Sequence, residues 1–186
     1  MIFSSCLKIS FSLKDVKLSH QDRKELALAI EAYGLKVIAG ALDKSPDVKK
    51  TSCESIKKLL SDYESDEMKP GKMLKATTQI TVRLIRDKMW AIFNHGITLT
   101  NSLFNHFIFS HTVPKKELGE SSLKLYKELL SRCADANERV QDKAEDTLEA
   151  MVINEKIRNA ELLHEALLKP LQVKYRLNTH CMYLRN

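Results

Sequence analysis

At 186 residues, the chain has the length of one domain that can bury a real core. Only 5 Gly and 4 Pro occur and charged residues make up 29% of the chain, which favours an almost entirely helical protein and argues against a β-rich one. The formal net charge of +6 favours an acidic partner and leaves nucleic acid, anionic lipid and an acidic protein surface open.

The cysteines do not form a metal site or a disulfide framework. They are widely separated, at Cys6, Cys53, Cys133 and Cys181. No CxxC pair occurs, no His is spaced to complete a zinc site, and the histidines of the apolar region do not share a helix face at metal spacing. We therefore expect reduced thiols in a cytosolic protein, with no metal and no cofactor.

Periodic apolar and small residues predict seven helices. We expect them at about 19–41, 46–63, 73–85, 89–110, 117–133, 138–154 and from 159 to before Pro170. Helix-start residues support four of these beginnings: Ser19, Ser45 followed by Pro46, Asp135 or Asn137, and Asn159.

The fourth of these helices contains the most apolar part of the chain, at 89–109. Asn94, His95, Asn101, Asn105 and His106 interrupt it, and that much polarity is costly in hydrocarbon. We predict a helix buried among other helices, with Trp90 in the core, and neither a membrane span nor a secretory signal.

Two distant segments share one register. When the two segments are aligned at Asp43 and Asp135, Val48 aligns with Val140. Small or apolar residues continue to align at every fourth position as far as residue 60 in the first segment and residue 152 in the second. Connections within a helix pair are short and those between pairs are longer. The chain is therefore predicted to be an all-α, armadillo-like α-solenoid of HEAT-type antiparallel helix pairs.

This solenoid is expected to occupy 15–172, with pairs at about 19–63, 73–111 and 116–154 and a truncated fourth pair at 159–172. Residues 1–14 and 173–186 show no helical period. Their composition, and the Val-Lys start of the second segment, favour translated intron sequence, so we expect both segments to be irregular and non-native.

Three stretches of the chain resemble a known family. The run LLSRCADANERVQDKAEDTLEAMVINEKIRNAELLHEALLKPLQ at 129–172 is similar to the later part of the TOG domain in the ciliary-tip centrosomal protein family. Its features there are Arg132, Asp135, the Arg139-Val140 pair, the basic turn 156–158 and Pro170-Leu171. IRDKMWAIF at 85–93 and AYGLKVIAGALDKSPDV at 32–48 resemble that family's second and first intra-repeat junctions.

The resemblance implies a non-catalytic module that binds tubulin through the loops inside each helix pair. It also implies centrosomal or ciliary protein partners and a place in the cytoplasm at the cytoskeleton, the centrosome or centriole, and the cilium. The edge implied on this sequence comprises Lys44, Ser45, Pro46, Lys49, Arg86, Asp87, Lys88, Asp135, Asn137 and Arg139. Arg and Lys at loop tips suit an acidic surface such as that of tubulin.

Several alternatives stay open. Many TOG domains carry a Trp in the first loop, where this sequence has Ser45 and Pro46, and its absence favours a HEAT adaptor that docks a protein on its helical face without tubulin affinity. Arg86, Lys88 and Arg139 could also be solvated helix-end charges or braces between repeats. Nucleic acid is disfavoured by the acids of the 135–146 region, and an enzyme by the lack of a nucleophile or glycine-rich loop beside the acidic clusters.

Overall fold

The computed structural model describes residues 18–64 and 68–160, and within these ranges the chain is helical without strands. The helices are α1 (His20–Glu25), α2 (Ala27–Tyr33), α3 (Leu35–Ala41), α4 (Pro46–Ser61), α5 (Pro70–Ile85), α6 (Trp90–Ser102), α7 (Ile108–Ser110), α8 (Lys115–Arg132), α9 (Glu138–Ile153) and α10 (Glu155–Arg158). A π-helical turn, Leu103–Phe107, joins α6 to α7. The predicted segments 1–14, 161–172 and 173–186 lie outside the described residues.

The helices stack as antiparallel pairs in two layers. The pairs are α1–α3 with α4, α5 with α6–α7, and α8 with α9. In one layer α2 packs on α5 and α5 on α8, and in the other α4 packs on α6 and α6 on α9. The predicted α-solenoid is therefore confirmed, with one continuous core between the layers.

The prediction of a single first helix is wrong, because the segment is broken twice. Ser19 caps its start as predicted, since its hydroxyl accepts from the backbone N–H of Asp22 at 3.0 Å. Gly34 then adopts a φ of +84°, a value that only Gly reaches at little cost, and this ends α2. At the earlier break, the backbone N–H of Ala29 donates to Oε1 of Gln79 on α5, at 3.1 Å.

One predicted cap is corrected by the structure. Ser45 does precede Pro46 at the first position of α4, but its side chain makes no capping hydrogen bond. Asn159 closes α10, whose start is capped by Asn154, which accepts from Lys156 N and Ile157 N. The helix predicted to begin at Asn159 extends outside the described residues. Asn137 caps α9 as predicted, accepting from the backbone N–H of Arg139 at 3.1 Å.

The apolar region runs as expected through the middle of the fold. Ile92, Phe93, Ile97, Leu99 and Leu103 are fully buried. The π-helical turn leaves the carbonyl oxygen of Phe104 available, and Asn154 Nδ2 donates to it at 2.9 Å. In residues 18–64 and 68–160, no helix has the length and apolarity that crossing a bilayer demands.

Within each of the first two pairs, a small residue permits the helices to approach each other near the short loop. A Cβ added to Gly96 on α6 would lie 3.0 Å from the backbone nitrogen of Ile85 and 3.2 Å from the carbonyl carbon of Leu84. A Cβ on Gly40 would lie 2.2 Å from Ser52 Oγ. The Gly96 contact sets the spacing of the second pair, because backbone atoms cannot move aside as a flexible side chain can. The Gly40 contact is with a side chain.

We expect Gly96→Val to lower the free energy of unfolding by about 1–3 kcal/mol, since overpacking against backbone outweighs the gain in helix propensity. Urea unfolding followed by circular dichroism measures the change. Ala91→Val, at an exposed position on the same helix, is the matched control and should stay within about 0.5 kcal/mol of the parent chain. Equal stability of the two variants would contradict the close approach.

Candidate functional site

The three loops inside the helix pairs are built on one pattern. In each, Oδ1 of an Asp accepts a hydrogen bond from the backbone N–H two residues later: Asp43 from Ser45 at 2.8 Å, Asp87 from Met89 at 2.9 Å, and Asp135 from Asn137 at 3.0 Å. The following residue begins the second helix of the pair each time, at Pro46, Trp90 and Glu138. The carboxylate thus fixes the turn by bonding the backbone directly.

These loops lie side by side on one edge of the stack. Lys49 Nζ of the first pair bonds Asp87 Oδ2 of the second, and Arg132 Nη2 of the third pair donates to the carbonyl oxygen of Asp87 at 3.3 Å. We call the surface formed by 43–49, 86–90 and 132–139 the loop edge. All ten sequence-predicted site residues lie on it.

Part of the predicted site faces inward and braces neighbouring pairs. The side chains of Lys49 and Asp87 are only 15% and 17% exposed in their ion pair. Arg132 pairs with Asp135 at 2.8 Å and its guanidinium lies 5.3 Å from the centroid of the buried Phe93 ring. Lys49, Asp87 and Asp135 are therefore engaged in holding the loops together.

Arg86 has a mixed role. It bonds Glu128 of α8 through both Nε and Nη2, the second at 2.9 Å, while 56% of its side chain stays exposed. The hydrogen bond to Glu128 raises the pKa of the guanidinium above its ordinary value. Arg86 therefore links the second pair to the third and still shows one side to solvent.

Three basic side chains of the loop edge point to solvent. Lys44 and Lys88 each follow the loop Asp, and Arg139 lies in the first turn of α9. All three are exposed and, among the residues that the structure describes, no carboxylate pairs with them. Pro46 and Asn137 are also exposed, and Ser45 is half-buried. These side chains are available to a partner.

The prediction that Trp90 belongs to the core is wrong. Its side chain is 36% exposed, and Met89 beside it is also exposed. The indole rests on the buried Phe93 ring, with centroids 5.7 Å apart, and its outer side faces solvent. The shared loop pattern could have revealed this, because Trp90 occupies the same position as Pro46 and Glu138, which are both exposed.

The buried Cys53 lies beneath the bracing pair. Burial is the main cause that raises the pKa of its thiol to about 12, and the charge of Asp87 adds to the rise while that of Lys49 opposes it. Cys53 is a free thiol. Within 18–64 and 68–160, no group of three His, Cys, Asp or Glu side chains is placed to hold a metal ion.

Exposed large apolar residues lie at helix ends. In the described part of the chain they are Leu35, Met89, Trp90, Phe109 and Ile153. Leu35, Trp90 and Ile153 start or end a helix, Met89 precedes one, and Phe109 lies in the three-residue α7, so they do not form a stripe along a layer. This distribution lacks the feature that the helical-face adaptor predicts.

The comparisons with known proteins agree on one family. A sequence model of the TOG domain of centrosomal protein CEP104 matches residues 23–182. The chain belongs to this family. The matched range extends into the segment 173–186, whose non-native origin stays a prediction.

Curated relatives and solved structures give the same answer. The chain is 22% identical to the centrosomal protein of 104 kDa from Mus musculus over 157 residues and 20% identical to that from Homo sapiens, covering 83% of this chain in each case and 17% of each relative's length. The TOG domain of human Cep104 superposes with a TM-score of 0.77 at 20% identity, over 89% of this chain and 65% of that one. A second solved CEP104 TOG domain gives 0.69 at 23%, over 75% and 56%. At this identity the structures support the fold.

The bracing pair should contribute measurably to stability. We expect Asp87→Asn, which keeps the loop hydrogen bond, to lower the free energy of unfolding by about 1–3 kcal/mol because Lys49 loses its partner. Adding Lys49→Met should recover part of this loss, with a coupling of about 1–2 kcal/mol in the double-mutant cycle. Asp146→Asn, at an exposed position with no salt bridge given among the described residues, is the control. Additive effects of the two changes would contradict the brace.

The Cys53 thiol should be unreactive in the folded protein. With a pKa near 12, only about one thiol in ten thousand is ionised at pH 8, and burial blocks access as well. Pulsed iodoacetamide labelling with peptide mass spectrometry should find Cys53 unmodified in native protein and fully modified in urea. Equal labelling rates in the two states would show that the edge opens readily.

Proposed function

We propose that this chain is a non-catalytic tubulin-binding TOG-like module of a centrosomal or ciliary-tip protein, and that the loop edge contacts tubulin. The observation that carries the proposal is the convergence on one edge of three Asp-anchored loops that present Lys44, Lys88, Arg139 and the exposed Trp90. Membership of the CEP104 TOG family supports the same partner.

The charge on this edge suits an acidic surface. The loop carboxylates Asp43, Asp87 and Asp135 each accept from a backbone N–H, and two of them also pair with a partly buried base. The exposed basic side chains are thus set beside carboxylates that are already engaged. Such an arrangement steers an acidic partner towards the edge and fixes its orientation.

Trp90 supplies the apolar anchor that the first loop lacks. A half-exposed indole held by a buried ring is rigid, and burying it costs little conformational entropy. Met89 extends the apolar area and Lys88 lies directly before it. The anchor is therefore displaced by one repeat, from the first loop to the second.

The same membership supports a place at the centrosome or centriole and the cilium, with other centrosomal or ciliary proteins as further partners. Nucleic acid and membrane are not proposed as partners. The competing function is an adaptor that docks a protein on its helical face, and the test below distinguishes it from tubulin binding.

The test is gel filtration of the full chain with free tubulin at low and moderate salt. We expect co-elution that weakens as salt rises. Trp90→Ala should weaken it by on the order of 2 kcal/mol, about thirtyfold in Kd, as expected for an interface anchor. The triple change Lys44→Glu, Lys88→Glu and Arg139→Glu should abolish it.

The matched control is Lys24→Glu, Lys58→Glu and Lys124→Glu, which reverses the same charge at exposed positions off the loop edge. Circular dichroism checks that both triple variants stay helical. Loss of binding in both would indicate a non-specific charge effect. Absence of co-elution for the parent chain at any salt would favour the adaptor.

A further inference from the structure

A basic groove lies at the opposite end of the helices from the loop edge. It forms between the connection from α7 to α8 and the segment around α10. In antiparallel pairs, connections between pairs lie at the other end of the helices from connections inside pairs. The groove is therefore distinct from the surface proposed for tubulin.

The ionisable side chains that line the groove are all basic. Among the described residues they are His111, Lys115, Lys156 and Arg158, and no described Asp or Glu lines the groove. Arg158 makes only a loose pair with Glu155, at 3.9 Å, and its side chain stays 61% exposed. The groove therefore presents a concentrated positive charge in a concave surface, which focuses its field outward.

An exposed aromatic ring lies among these charges. Phe109 is 56% exposed, although most large apolar residues of the described chain are buried. Lys156 Nζ lies 4.6 Å from the centroid of its ring and donates to the carbonyl oxygen of Ile108 at 2.7 Å. The ring is thus held in place by a side chain that is itself anchored to the end of α7.

The floor of the groove is apolar and fixed. Ile108 and Leu118 are buried beneath it. On the adjoining side, the His111 ring lies 4.8 Å from the Phe107 ring and 4.9 Å from the Tyr63 ring, centroid to centroid. The apolar part of the groove is therefore preorganised, and binding there does not first have to order it.

We propose that this groove binds an acidic peptide segment of a partner protein, with an apolar side chain of the segment against Phe109 and its carboxylates at Lys115 and Arg158. Two flexible bases flanking an apolar contact match a segment in which acidic and apolar residues alternate.

A peptide fits the groove better than a nucleic acid does. One side of the Phe109 ring is occupied by Lys156, which leaves less of it for base stacking. The basic residues also do not continue along the stack, since α9 carries Glu138, Asp142, Glu145, Asp146 and Glu149. A phosphate backbone longer than the groove would meet those carboxylates.

The test uses the full chain and fluorescence anisotropy of a labelled twelve-residue peptide made of Glu-Glu-Phe triplets. We expect saturable binding that weakens with salt. Lys115→Glu with Arg158→Glu, and separately Phe109→Ser, should each weaken it by on the order of tenfold. The same peptide with Ser in place of Phe should bind the parent chain on the order of tenfold more weakly.

The edge variants serve as the matched control. Lys88→Glu with Arg139→Glu reverses the same charge at the other end of the helices and should leave peptide binding unchanged, while the groove variants should leave tubulin co-elution unchanged. Peptide binding that is absent, or that survives every groove variant, overturns the proposal. Tighter binding of a single-stranded RNA oligonucleotide than of the peptide would also overturn the proposal. So would self-association of the parent chain that is lost in the Phe109→Ser variant.

Discussion

The loop edge depends on the Asp87 carboxylate and the peptide unit beside it. Oδ1 of Asp87 accepts the backbone N–H of Met89 and so sets where α6 begins, while Oδ2 bonds Lys49 of the preceding pair. The carbonyl oxygen of the same residue accepts from Arg132 of the following pair. One residue in the middle loop therefore fixes its own turn and ties it to the loops on both sides. Because Lys88 and Trp90 flank that turn, their positions follow from the same bonds.

The edge divides its charged residues between two tasks. The partly buried ones pair with each other, Lys49 with Asp87 and Arg132 with Asp135. Lys44, Lys88 and Arg139 extend to solvent, where an ion pair would add little stability to the fold and a partner can use the charge. The number of basic residues on the edge therefore overstates the charge that a partner can use, because the bracing residues are already paired within the protein.

Much of the architecture could be predicted from the sequence, because the four-residue spacing of buried positions persists through α4, α8 and α9. The break at Gly34 could not be predicted from apolar periodicity, because the periodicity continues across it while Gly34 adopts a positive φ. Ser45 was expected to cap α4, but Asp43, two residues earlier, bonds the backbone instead. The three loops lie on one edge, and the partners that brace them lie about 40 residues away in sequence, so the sequence carries no local signal of these pairs.

For Trp90, the local composition predicts the wrong burial, whereas its position in the loop pattern predicts the right one. Its apolar neighbours Ile92 and Phe93 are buried, so local hydrophobicity favours burial. Its place as the first residue after an Asp-anchored turn decides otherwise, because that position faces outward in all three pairs. At the far end of the same apolar segment, Phe109 is exposed because the helix ends there.

The apolar helix that forms the centre of the core thus presents an aromatic side chain at each end. Trp90 opens α6 on the loop edge, and Phe109 lies in α7 at the basic groove. With roughly 1.5 Å of rise per residue, the two rings are separated by on the order of 30 Å. At that distance a partner on one edge does not occlude the other. The stack between them is close-packed, and its small residues leave the pairs little freedom to slide. Under the two proposals, both acidic partners would bind at the same time, and a rigid module of this kind would hold them at a fixed separation.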